Sequence, residues 1–203
     1  MKDTGIVRRI DELGRIVIPK EIRRTMRLKE GTPVQIFINK DGELTLTKYS
    51  PVVDITEFAQ IFCDVVCATL DINIVVFDKD NVVAASSKLK NFLGKQISTV
   101  LEDVLEERKS YLLNSSDGSK LIEIFSADEN TYKSQIIVPI LANSDIVGGI
   151  VALSFENEAT NFTMDNVKTL QTIANFMAKQ VEWYETTIRF NWSIITCRRR
   201  TYC

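Results

Sequence analysis

The first fifty residues alternate apolar and polar positions with a period of two, and the period changes to that of a helix near residue 55. Residues 4–10 read as a strand, with Ile6, Arg8 and Ile10 on one face and Val7 and Arg9 on the other. Asp11-Glu12-Leu13-Gly14 reads as a turn, Gly14 being free to take a positive φ. Arg15 to Ile18 is a second short strand rich in β-branched residues. Pro19 suits the first position of a helix, where the N–H it lacks has no partner, and Glu21 complements the helix's positive end. That helix spans about residues 19–27, with Ile22 and Met26 one turn apart, and Lys29-Glu30-Gly31 closes it. Val34, Ile36 and Ile38 form one face of a third strand. Asn39-Lys40-Asp41-Gly42 contains the Asp-Gly pair that favours a hairpin. Leu44 and Leu46 are the inward face of the fourth strand, with Thr45 and Thr47 outward.

Ser50-Pro51 marks a boundary. Beyond it Ile55, Phe58, Ala59, Phe62, Val65, Val66 and Leu70 recur at helical spacing, which predicts a long amphipathic helix. Ile72 to Phe77 and Val82 to Ser86 are strands around the turn Asp78-Lys79-Asp80-Asn81. A helix follows at about 98–109, opened by Ser98 as N-cap. Asn114 to Ser119 is a turn cluster, and Leu121–Phe125, Tyr132–Ile140 and Ile146–Phe155 are three further strands. Asn143-Ser144-Asp145 joins the last two as a short hairpin. Thr163 caps a final helix lined by Val167, Leu170, Ala174, Met177 and Val181. The expected organisation is an N-terminal all-β module over 1–51, an α+β domain with a mostly antiparallel sheet over 52–182, and an appended, disordered tail over 183–203.

The composition narrows the chemistry. The chain has 203 residues and no histidine, which removes Ser-His-Asp and Cys-His catalysis, His-bearing zinc sites and histidine proton shuttles. Four cysteines read as reduced thiols. Neither a membrane span nor a signal-peptide core is present in the pattern, so a cytoplasmic protein is expected. The net charge of −2 conceals a split. Residues 1–50 hold 11 Lys and Arg against 7 Asp and Glu, a net +4. Residues 51–182 hold 10 against 19, a net −9, and residues 183–203 hold 4 against 1, a net +3. A basic head on an acidic body fits a polyanion-binding module joined to something else.

The head's cations are arginines. Between residues 8 and 27 Arg outnumbers Lys by six to one, and Arg is the better residue for planar, bidentate contact with phosphates and guanine edges. Lys20 with Arg24, and Arg23 with Arg27, place like charges at i, i+4, which weakens a short helix unless a partner neutralises them. The alternative is a solvated basic face whose arginine stems cover apolar surface. No aromatic residues interleave, which disfavours stacking on single strands and points to duplex DNA. Four short strands and one small helix in about 48 residues lie near the lower limit for an independent core and leave sheet edges unpaired. Two copies sharing one sheet system would meet both needs.

The segment TGIVRRIDELGRIVIPKEIRRTMRLKEGTPVQIFINKDGELTLTKYSP, and its core GRIVIPKEIR above all, resembles the DNA-binding module of the SpoVT–AbrB family of transition-state and sporulation regulators. The following domain looks like a GAF-type sensory domain, on the VPI…GGIVALSF stretch from Val138 to Phe155. The tail has no counterpart in the family. The resemblance implies a swapped-hairpin β-barrel dimer that binds double-stranded DNA through Arg8, Arg15, Arg23 and Arg24, with Arg9 and Lys20 as auxiliary phosphate contacts. It further implies a homotetramer assembled through the first and last helices of the GAF-like domain. A nucleoid-associated regulator of forespore gene expression is thus expected, with no cofactor, no metal and no catalytic residues.

Two other readings remain open: a small-molecule receptor whose GAF pocket gates DNA affinity, with an effector of unknown identity, and an antitoxin-like DNA-binding autoregulator. Cys63 and Cys67, at i, i+4 beside the apolar stripe, read as small core residues before metal ligands. Asp78, Asp80 and Asn81 lack the spacing and distal Glu of a calcium loop. Glu102, Asp103, Glu106 and Glu107 read as a solvated helix face. Neither a GxxxxGK phosphate loop nor a GxGxxG motif occurs.

Overall fold

Two contact-defined units divide the chain at residues 49/50. The computed structural model describes residues 5–50, 52, 55–126, 130–156 and 161–199, with the side chains of 185 and 187–199 excepted. Thr4, Pro51 and Arg200 to Cys203, which figure in the expectations above, lie outside the described residues.

In the first unit, α1 (Lys20–Thr25) precedes a hairpin of β1 (Val34–Ile38) and β2 (Leu44–Lys48). The register pairs Ile36 with Leu46 and Ile38 with Leu44, so these four apolar side chains share a face. Gly42, at φ 80°, lets the turn close with its N–H on the Asn39 carbonyl at 3.0 Å. The two earlier strands expected from the pattern do not form within one chain: residues 5–10 and 15–18 carry no ladder. A strand exists only by pairing, and among the described residues no strand ladder includes those segments. Among the described residues of this unit only Pro19 is buried.

The second unit is built on an antiparallel five-stranded sheet. Its strands are β3 (Asn73–Phe77), β4 (Val82–Ala85), β5 (Tyr111–Asn114), β6 (Tyr132–Ala142) and β7 (Asp145–Phe155), in the order β4-β3-β7-β6-β5. α2 (Thr56–Leu70) and α4 (Met164–Arg199) cover one face, burying Ala59, Cys63, Leu170 and Met177 against Ile74, Val76, Ile136 and Ile150. α3 (Thr99–Glu106), a 3-10 helix at Ser87–Phe92 and residues 121–125 cover the other, over Val75, Phe77, Ile137 and Val151. Burial on both faces is why the central strands read as unbroken apolar runs rather than alternating ones. Asn143 and Ser144, at φ 50° and 67°, turn β6 into β7 as a two-residue hairpin. Ser98 caps α3 as expected, its Oγ accepting from the Leu101 N–H at 3.0 Å. At the start of α4 the work is done in reverse: Asn166 Oδ1 accepts from the N–H and the hydroxyl of Thr163. Among the described residues no helix is long and apolar enough to cross a membrane.

Three expectations are corrected. The strand beside β6 is Tyr111–Asn114, not Leu121–Phe125. In the latter segment Ile122 satisfies its backbone on a side chain: Gln135, fully buried, accepts from the Ile122 N–H at 3.0 Å and donates to its carbonyl at 2.8 Å. Second, α1 is shorter than 19–27. It closes at Arg27, which takes φ 48°, while Leu28 N–H reaches the Arg23 carbonyl at 2.7 Å and Arg27 N–H the Arg24 carbonyl at 3.2 Å, a Schellman closure on a non-glycine residue. Third, residues 183–199, expected as a disordered tail, are helical backbone continuous with α4. No Gly or Pro interrupts 164–199, and adding residues to an existing helix avoids the cost of nucleation.

Gln135 yields a direct prediction. Truncation in Gln135→Ala leaves both polar groups of Ile122 without their partner, each costing about 1–3 kcal/mol when buried. The variant should lose roughly 2–4 kcal/mol in urea unfolding; a loss below about 1 kcal/mol would mean that water replaces the amide.

Candidate nucleic-acid interface

The six basic residues singled out by the sequence are all exposed. Lys20, Arg23 and Arg24 come together because a single six-residue helix carries them. Arg23 and Arg24 occupy its last turn, where cations suit the negative helix end, and the Schellman closure fixes the backbone of both. Thr25 donates its hydroxyl to the Glu21 carbonyl at 2.9 Å. Ile22 and Met26 are half-buried, so the helix has an anchored side and a wet one.

Arg15 is held by a turn whose centre is a carboxylate. Asp11 Oδ1 accepts from the Leu13 N–H at 3.0 Å and the Arg15 N–H at 2.8 Å, while Oδ2 accepts from Arg15 Nε at 2.7 Å. The Asp11 N–H donates to the Arg15 carbonyl at 3.1 Å, and the Gly14 N–H to the Asp11 carbonyl at 2.9 Å. The Arg15 N–H, the Arg15 guanidinium and the Leu13 N–H hold the Asp11 carboxyl below the usual carboxylate range. Asp11 was legible only as a turn residue; the further signal is Asp followed at i+3 by Gly and at i+4 by Arg, a short acceptor placed to reach its own backbone. Arg8 and Arg9 belong to the segment without a ladder, and Arg8 Nη1 donates to the Val7 carbonyl at 3.4 Å. The single chain thus gathers Lys20, Arg23 and Arg24, fixes Arg15 locally, and leaves Arg8 and Arg9 apart.

The other constellations are structural. Burial pushes the Cys63 thiol up to about 12, so its thiolate is scarce at neutral pH, and Cys67 Sγ lies 3.9 Å from Asn73 Oδ1. Asp78 Oδ1 accepts from the N–H groups of Asp80 and Asn81, both at 2.8 Å, which makes it the turn's own acceptor. Asp103, Glu106 and Glu107 are exposed and Glu102 half-buried; Glu107 accepts a bond from the Tyr111 hydroxyl. Among the described residues no group of three or more Cys, Asp and Glu could hold a metal ion. The sheet face under α3 is filled by side chains, with Phe92 stacked on Phe125 at 4.4 Å between centroids and Phe77, Leu89 and Leu101 fully buried.

Comparison with known proteins brings the two units together. A family described as "Stage V sporulation protein T C-terminal, transcription factor" matches residues 54–182, and one described as "Antidote-toxin recognition MazE, bacterial antitoxin" matches residues 7–54. Stage V sporulation protein T of Bacillus subtilis (strain 168) is 42% identical over 185 residues, covering 90% of this chain and 99% of that protein. The transition state regulatory protein AbrB of the same organism is 51% identical over 51 residues, 25% of this chain and 52% of AbrB. Among solved structures, the PixJ GAF domain of Thermosynechococcus elongatus in its blue-light absorbing form superposes with a TM-score of 0.58 at 11% identity, over 72% of this chain and 95% of that one. The GAF domain of an Acinetobacter phosphoenolpyruvate-protein phosphotransferase does so with a TM-score of 0.54 at 13% identity, over 65% and 84%. At those identities the likeness is one of fold.

Proposed function

The chain belongs to the stage V sporulation protein T family, and from that premise we propose that it regulates transcription in sporulation by gripping duplex DNA with an arginine-bearing barrel made by two copies of its N-terminal unit. One observation supports the dimer above the rest. Between residues 6 and 46 eleven large apolar side chains are exposed, among them Val7 at 85%, Val17 at 75% and Ile38 at 76%. A surface of that kind on a unit with one buried residue among those described is an unfinished core. A second copy finishes it, by covering the Ile36–Ile38–Leu44–Leu46 face and by giving residues 5–10 and 15–18 a strand to pair with. Arg8, Arg15, Arg23 and Arg24 from both chains then form one basic surface, with Arg9 and Lys20 at its margin.

The GAF-like domain serves assembly in this reading. Phe58, Ile61 and Val65 are exposed at i, i+3, i+7 on α2, and Phe176 is exposed on α4, so a second apolar helix stripe is available to join two dimers into a tetramer. The antitoxin reading accounts for residues 7–54 alone, and the receptor reading rests on fold, which specifies no ligand. A regulator without catalytic machinery, acting in the cytoplasm on forespore genes, is the function these features support.

Two measurements test it. Sedimentation of the full chain should show a dimer or tetramer and no folded monomer. Titration of a duplex against salt should give a slope of log K on log salt approaching about −7, eight arginines each displacing a counterion. A slope shallower than about −2, or a stable monomer, removes the dimeric arginine surface.

A further inference from the structure

Asp11 is an acid placed beside an arginine that we read as DNA-contacting, where simple electrostatics would have no acid at all. Its geometry accounts for it. The carboxylate engages Arg15 twice, at the backbone N–H and at Nε, and closes the turn through Leu13 with the same Oδ1. Nε lies on the inner edge of the guanidinium. Among the described residues, the hydrogen bonds and ion pairs of Arg15 fall on Nε and the backbone, leaving the terminal amines for a ligand. That outer edge is the fork that matches guanine O6 and N7 or a phosphate. The Arg15 side chain is 70% exposed, so without the anchor it would sample many rotamers. With it, the fork is held in one orientation before DNA arrives.

We propose that Asp11 is a positioning residue that fixes the Arg15 fork for reading base edges, so that sequence discrimination depends on a group whose charge opposes DNA binding. The proposal rests on the reading of Arg15 as a DNA contact. Its consequence is a split that neither charge nor folding alone produces. A loose arginine still finds phosphates, which are everywhere along the duplex, but finds a particular base edge less often. Removing the Asp11 charge therefore weakens discrimination while leaving sequence-independent binding unchanged or stronger.

The test is Asp11→Asn in the full-length protein, beside Arg15→Ala. Asn keeps an Oδ1 acceptor for the Leu13 and Arg15 N–H groups, but turns an Nδ2 donor toward Nε, which releases the guanidinium without opening the turn. The probes are a duplex enriched from a random-sequence pool by the wild-type protein and a shuffled duplex of the same length and composition. D11N should lose about tenfold or more of the preference for the enriched duplex, bind the shuffled one at least as well, and keep its salt slope within about one unit. If R15A loses the preference and D11N retains it, the Asp11 role is wrong and Arg15 stands. If D11N weakens both duplexes equally and melts earlier, Asp11 is a fold residue only and the proposal fails. If R15A itself retains full preference, Arg15 reads no base and the proposal falls with that reading.

Discussion

Arg23→Glu or Arg24→Glu is expected to abolish binding to duplex DNA and leave the protein folded. In the proposed dimer each substitution acts twice, so four units of charge change at the proposed DNA-binding surface. Like charges juxtaposed across an interface cost several kcal/mol, which corresponds to a loss on the order of 10³-fold in affinity. The fold should tolerate the change, because both side chains are exposed and the helix end is closed through the backbone carbonyls of these residues, not through their guanidinium groups. Glu is also a good helix former, and its misfit with the negative helix end amounts to only a few tenths of a kcal/mol. Gel-shift titration with circular dichroism on the same samples decides the matter. A variant that still binds within tenfold of wild type takes that arginine out of the interface.

Gly148→Ala should have an effect of similar size on the other unit, this time on stability. A methyl at Gly148 would lie 3.1 Å from Asp78 Cα and 3.2 Å from the carbonyl carbon of Phe77, and closer still to the Phe77 carbonyl oxygen. All three are backbone atoms, of the last residue of β3 and of the residue that follows it. That strand end is kinked against its partners, with register shifts between Val76 and Phe77 on one side and between Ile140 and Leu141 beyond β7, which is where a pleated sheet brings backbones together. A methyl there cannot be met by a rotamer change, so β3 or β7 must move. The expected loss is about 4 kcal/mol or more, above the usual range for overpacking. Gly149→Ala provides the comparison. Its methyl would meet the Phe77 ring at 2.5 Å and the Val138 carbonyl oxygen at 3.0 Å; the ring can turn aside, so the loss should be smaller. Equal urea midpoints for wild type and G148A would contradict the geometry.

The elements carried by their own residues were legible. The α2 helix, the Val167-to-Val181 face of α4, the Ser98 cap and the β6–β7 turn follow from local spacing, and the structure has them, while Phe58, Val65 and Leu70 of the stripe expected on α2 are exposed. What escaped was decided elsewhere in the chain. Residues 111–114 and 121–125 are both short apolar runs, and Gln135, distant from each in sequence, withdraws the second from the sheet. The helical continuation past Val181 was partly readable, because positions 184, 188 and 195 extend its three-and-four spacing; the tryptophans and the arginine run obscured it. In the N-terminal unit the pattern yields four strands and one chain pairs two, since a period of two identifies a strand without saying which molecule supplies its neighbour. The candidate site divides the same way. The arginines announce themselves by type and density, but the Asp11 anchor becomes evident only when both of its oxygens are placed.

The nearly unburied N-terminal unit has a physiological corollary if two copies complete it. Its folding is then second order in protein, as for any obligate dimer. Dilute chains would be unable to read DNA at all, rather than reading it weakly. Such a cell would set the onset of regulation by how much protein it has made, with a sharp threshold and no signalling molecule required.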